Sequence, residues 1–138
     1  MKPSETLYEI TKNNFIPLMC VFELTRRCNL QCRHCYIDTP KTSHNELSTA
    51  KIKDILKQLA KAGTLNLIFT GGEIFIRKDI VELCRYARKL SFDVRLFTNG
   101  TIIDENTAEL LSKTGISGIE ISLYGKPATH DKITRSKG

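Results

Sequence analysis

At 138 residues the chain is long enough for one domain with a real core. Its 41% hydrophobic and 26% charged residues are the balance of a globular protein and exclude a disordered one. The net charge of +6 is spread along helix faces, Lys51, Lys53, Lys57 and Lys61 on one and Arg85, Arg88 and Lys89 on another, and no aromatic-interleaved basic motif points to nucleic acid.

The segment Met1–Tyr8 is polar, with no apolar core of a signal peptide. No apolar run approaches the ~18–20 residues of a membrane span. A cytoplasmic location is therefore expected. The five cysteines are an odd count with no export signal, and read as reduced thiols or metal ligands rather than disulfides.

Residues 1–17 are weakly patterned and form a lead-in, with a turn of helix near Leu7–Ile10. Leu18–Leu24 is almost continuously apolar and reads as a strand covered on both faces, with Cys20 inside it as a small core residue. From Thr25 to Glu46 the pattern is irregular, a long loop of the kind that usually carries function. Ser48 is a good N-cap, and Leu47 and Ile52 stand at the positions of a hydrophobic staple. The stripe Ile52, Ile55, Leu56, Leu59, Ala60 predicts an amphipathic helix closed by Gly63. Leu65–Thr70 is a second strand, and Lys78–Leu90 a second helix with Cys84 on its apolar face. Phe92–Thr98 is a third strand, followed by a helix from Asp104 to Lys113. Gly118–Tyr124 is a fourth strand, and Pro127 suits the first turn of a further helix. This alternation predicts an α/β fold with a parallel sheet.

The residues that packing does not explain fall at the strand ends. Cys28, Cys32 and Cys35 follow the first strand in the spacing CxxxCxxC, and soft thiolates so close can surround one metal centre. Three ligands are one short of the four usual for zinc sites and iron–sulfur clusters. Gly71-Gly72-Glu73 follows the second strand, Thr98-Asn99-Gly100 ends the third, and Ser122 and Tyr124-Gly125 end the fourth. Singly these are turn residues or a strand serine bonded to backbone. Together they converge on the carboxyl edge of a parallel sheet, where such folds bind ligands.

The ordered set of CxxxCxxC, Gly-Gly-Glu, Thr-Asn-Gly and Ser-Leu-Tyr-Gly resembles the radical S-adenosylmethionine (radical SAM) enzymes from about Pro17 onward. The resemblance implies a [4Fe–4S] cluster on Cys28, Cys32 and Cys35, with S-adenosylmethionine on the fourth iron. It implies cofactor contacts at His34 and Tyr36, a methionine-amine site at Gly71, Gly72 and Glu73, and ribose or carboxylate contacts at Asn99 and Ser122. Arg26, Arg27 and Arg33 would offset cluster charge or stand solvated. No residue is assigned a catalytic role. The run Cys28–Tyr36 looks most like peptide-modifying, SPASM-type members, with molybdenum-cofactor and haem-pathway members as competitors. A peptide or cofactor-precursor substrate and an electron donor such as flavodoxin or ferredoxin are implied.

Two departures accompany the resemblance. Ile74 stands where proline commonly follows Gly-Gly-Glu. Residues 18–138 supply only the first four units of a partial TIM-like (β/α) barrel, so the chain is expected to be the N-terminal part of a longer enzyme, its fourth-strand edge unpaired. Two other classes stay open. One is a zinc-binding interaction module with His44 or Cys20 as fourth ligand. The other is a metal-free nucleotide-binding α/β domain, which leaves the cysteine run unexplained.

Overall fold

The computed structural model describes residues 3–37 and 46–137. The elements run α1 (Pro3–Asn13), β1 (Met19–Thr25), α2 (Thr49–Lys61), β2 (Asn66–Gly71), a 3-10 turn (Ile74–Ile76), α3 (Ile80–Lys89), β3 (Asp93–Thr98), α4 (Glu105–Ser112), β4 (Gly118–Ile121) and α5 (Pro127–Thr134). The four strands lie in the order β1-β2-β3-β4, each pair parallel. Residues such as Val21, Ile68, Arg95 and Gly118 share one row across the sheet. All four carboxyl ends therefore open on one edge.

The helices form where the sequence signals them. The Ser48 side chain accepts from the Lys51 N–H at 3.3 Å, and Gly63 takes a positive φ of 93° just past α2. The staple is only half made, since Ile52 is fully buried while Leu47 stays exposed. Asp104 caps α4 through the Thr107 N–H at 2.7 Å. The lead-in helix α1 is longer than the turn the sequence indicated. β4 is shorter. Its ladder ends where Ile121 meets Thr98, with the Ser122 N–H still donating to the Thr98 carbonyl at 3.2 Å.

The core lies on one face of the sheet. Leu24, Leu67, Phe69, Val94 and Leu96 meet Ile52 and Leu56 of α2, Leu83, Cys84 and Ala87 of α3, and Leu111 of α4. The opposite face is not covered as the apolar run of β1 suggested. Met19 and Val21 are each 58% exposed, and Arg95 pairs there with Glu120 at 3.0 Å. Eight β/α units close a barrel whose interior is this second face. Cover on both faces is a property of open doubly wound sheets, and the apolar pattern of a strand does not distinguish the two.

Leu83 is fully buried between sheet and helices. Leu83→Ala should cost about 2–5 kcal/mol through lost burial and the cavity left behind, measured by urea unfolding of the metal-free chain.

Candidate functional site

The site begins with a break in the β1 ladder. The register shifts between Glu23 and Thr25, so Leu24 and Thr25 are both buried and strict alternation fails. The chain then leaves the sheet directly over the end of β2. The Gly72 N–H donates to the Thr25 carbonyl at 2.9 Å, and the Glu73 N–H to the Arg27 carbonyl at 2.8 Å. A Cβ on Gly71 would collide with the Thr25 carbonyl oxygen, and one on Gly72 with that of Arg27. The glycine pair thus lets two backbones touch with no side chain between.

Nine of the ten residues that the resemblance assigns to cluster or cofactor line one cavity of about 270 Å³. Cys28, Cys32, Cys35, His34 and Tyr36 come from the loop after β1. Gly71 and Gly72 come from the end of β2, Asn99 from β3 and Ser122 from β4. Glu73 is the one that does not reach it. Its side chain is fully buried and both oxygens are engaged. Oε1 accepts from the Phe75 N–H at 3.0 Å, Oε2 from the Asn99 N–H at 2.8 Å, and the Thr98 hydroxyl lies within 2.9 Å of each. The carboxylate holds the start of the β3 loop and caps the 3-10 turn. Ile74, in the place of the common proline, is fully buried in the core, which fixes this turn by packing instead of by ring closure.

Asn99 ties two loops together. Its Nδ2 donates to Asn29 Oδ1 at 2.9 Å and lies 3.8 Å from the Cys28 sulfur. Its Oδ1 accepts from the N–H and hydroxyl of Thr101, and the Asn29 amide donates back to the Thr101 hydroxyl at 2.8 Å. The Leu30 N–H donates to the Cys28 sulfur at 3.4 Å. Tyr36 hydrogen-bonds Glu23 at 3.2 Å.

The sequence placed a helix at Pro127 but gave no sign that it would close the site. The Arg33 N–H donates to the Ile133 carbonyl at 2.9 Å, joining the cysteine loop to α5. The Tyr124 ring stands edge-on to His34 at 4.6 Å and stacks on His130 at 5.7 Å. Tyr124 and His130 both line the cavity.

The donor set suits a metal centre. All five cysteines are free. Burial pushes the Cys28 and Cys32 thiols up, and the charges of the neighbouring cysteines, with Glu73 for Cys28, push the same way. A cationic centre would offset that crowding. Among the described residues no three His, Cys, Asp or Glu side chains converge on a single-ion site. The three motif thiols line one cavity without meeting at a point. Cys20 packs against the core and Cys84 is fully buried, its thiol pushed up to about 12 by burial. His44 lies outside the described residues. The zinc reading draws no support.

Beneath the loop lies an ionic network that sequence reasoning missed. Arg27 is not spent on the cavity. Its guanidinium grips Glu46 through Nε at 2.8 Å and Nη2 at 3.0 Å, and the Thr25 hydroxyl also donates to Glu46. Arg77, only 7% exposed, grips Asp79 through Nε at 3.0 Å and Nη2 at 2.7 Å. Its Nη1 donates to the carbonyls of Leu24 and Leu47 and lies 3.5 Å from Glu46. The Thr49 hydroxyl donates to Asp79 at 2.6 Å. Hydrogen bonding to Arg27 holds the Glu46 carboxyl below its ordinary value against burial. Burial pushes Asp79 up, but the bonds from Arg77 and Thr49 outweigh it and its pKa falls. Alternating charges at this distance in sequence leave no local pattern to read.

A half-open parallel sheet carrying three thiols and a glycine pair at its carboxyl edge is the frame of a cofactor-dependent α/β enzyme. Residues 22–138 match the Radical SAM superfamily, and the chain belongs to that family. It is 42% identical over 119 residues to the Fe-coproporphyrin III synthase of Methanosarcina barkeri, covering 86% of this chain and 30% of that protein. It is 34% identical over 126 residues to the sporulation killing factor maturation protein SkfB of Bacillus subtilis, covering 91% of this chain and 31% of that protein. The fold matches the crystal structure of Streptococcus suis SuiB bound to precursor peptide SuiA with a TM-score of 0.79, at 24% identity, over 99% of this chain and 33% of that one. The chain spans about a third of the length of these curated relatives. Among the described residues no helix is long and apolar enough to cross a membrane.

Two outcomes follow from the geometry. Gly72→Ala should destabilise the metal-free chain by about 1–3 kcal/mol in urea unfolding, because the Arg26–Arg27 backbone leaves the new methyl no room. Glu46 and Asp79 have lowered folded pKa values, so their stabilisation is complete above the ordinary carboxylate range and is lost as pH falls through the folded values. Thermal unfolding should show stability dropping below about pH 4, with a shallower drop in Glu46→Gln.

Proposed function

We propose that this chain binds a [4Fe–4S] cluster on Cys28, Cys32 and Cys35 and S-adenosylmethionine in the adjoining cavity. The observation that carries the reading is the opening of all three motif thiols, Gly71, Gly72, Asn99 and Ser122 onto one space. When bound, the pair would supply reductive cleavage of the sulfonium carbon–sulfur bond, with one electron from an external donor, and so a means of abstracting hydrogen from substrate.

The protein's own residues bind, orient and exclude. With the Glu73 carboxylate saturated, the backbone carbonyls at the end of β2 are left to accept from the methionine amine, beside the bare glycine pair. Asn99 and Ser122 offer polar groups for the ribose or the methionine carboxylate. His34 and Tyr36 are offered to the adenine, and Tyr124, edge-on to His34 and stacked on His130, forms an aromatic side of the cavity. The substrate is a peptide or a cofactor precursor. The relatives named for peptide maturation and for porphyrin synthesis support that pair. A low-potential donor such as flavodoxin or ferredoxin supplies the electron, in the cytoplasm, where free thiols persist.

Anaerobic reconstitution with iron and sulfide tests this. The expected product is brown, bleaches with dithionite and holds about four irons per chain. Cys28→Ala, Cys32→Ala and Cys35→Ala should each lose most of that iron. S-adenosylmethionine should bind the loaded chain and perturb the electron paramagnetic resonance of the reduced cluster. A colourless protein holding one zinc would overturn the reading.

A further inference from the structure

The loop that bears the motif cysteines leaves the sheet at residue 26 and is described to residue 37, and Glu46 opens the next described segment. Both ends are held by the same ionic network. At the near end Arg27 is held at its backbone and at its guanidinium. Its N–H donates to the Thr25 hydroxyl at 3.1 Å, its carbonyl accepts from Glu73 and its guanidinium grips Glu46. Cys28 is the next residue, so its position is inherited from these contacts. At the far end Glu46 and the Leu47 carbonyl are reached by Arg77, which comes from the connection between β2 and α3.

Arg77 is the centre of this arrangement. It is 7% exposed, and its guanidinium reaches four residues: Leu24 at the end of β1, Glu46 and Leu47 where described structure resumes after the loop, and Asp79, which Thr49 of α2 also engages. Lysine could not reproduce it, because a single ammonium has no planar fork. A guanidinium this deep is retained only when its donors are met, and here each nitrogen finds an acceptor.

We propose that Arg77, with Glu46, is a positioning residue for the metal centre: it clasps the two ends of the cysteine loop and sets Cys28 before any metal arrives. Neither side chain lines the cavity, so both act through Arg27 and the backbone. Binding a cluster then requires little ordering of the near end of the loop, and the entropy cost of closing it falls on folding instead.

This rests on the cluster reading for one readout and is independent of it for another. In the metal-free chain, hydrogen exchange at the Arg27, Leu30 and Glu73 amides should quicken about tenfold in Glu46→Gln, while the Asp93 and Ser117 amides, which join strands elsewhere, keep their rates. In anaerobic reconstitution the same variant should take up iron about threefold more slowly than the parent chain. Arg77→Lys should move both readouts further in the same direction, and if it does not fold, Glu46→Gln decides alone. Unchanged exchange at the three amides overturns the proposal, as does equal acceleration at Asp93 and Ser117, which would mark a merely structural role. Faster exchange with unaltered iron uptake overturns the link to the metal centre. A parent chain that takes up no iron overturns the cluster reading, and the exchange result still judges the clasp.

Discussion

The contact on which the site depends is between two backbones. The end of β2 lies against the exit of β1, held by the Gly72 and Glu73 N–H groups donating to Thr25 and Arg27. Neither glycine can carry a side chain there. Everything around the cavity follows from this closeness. It puts Cys28 beside Asn99, it buries Glu73 under the loop, and it brings the 3-10 turn and Arg77 within reach of Glu46.

Two polar networks lie under the cavity, and they differ in what would happen on disruption. The Glu73 carboxylate is fully buried and met by backbone and hydroxyl donors, with no cation among its hydrogen-bond partners in the described residues. The Arg77 network is built from forked ion pairs and carbonyls. Breaking a buried pair on one side costs about 3–5 kcal/mol, because a charge is left unpaired in low dielectric. The exposed pairs, such as Lys113 with Glu109, contribute little by comparison. The stability that matters to the site is therefore concentrated within a few ångströms of the cysteine loop, away from the helix surfaces where most of the charge resides.

The element order was legible in the sequence because apolar periodicity, an N-cap serine and helix-ending glycines are local signals. The placement of Cys28, Gly72, Asn99 and Ser122 on one edge was legible for a different reason: parallel topology puts every strand end on the same side. The partners of Glu73 were not legible. A carboxylate beside glycines looks like a ligand group, and nothing local says that Thr98 and Asn99 will take up its oxygens. Arg27 was ambiguous in the same way, since its partner lies nineteen residues on. The open face of the sheet could not be foreseen, because Met19 and Val21 are as apolar as any core residue.

The five free thiols differ sharply in surroundings. Cys84 is sealed in the core with its thiol held protonated, and Cys35 stands open to solvent. Air and alkylating reagents therefore meet the motif before they meet the interior. A metal-free preparation kept in oxygen would cross-link or cap the motif thiols while its fold stayed intact. Circular dichroism would report such a sample as sound, and mass spectrometry of its thiols would not.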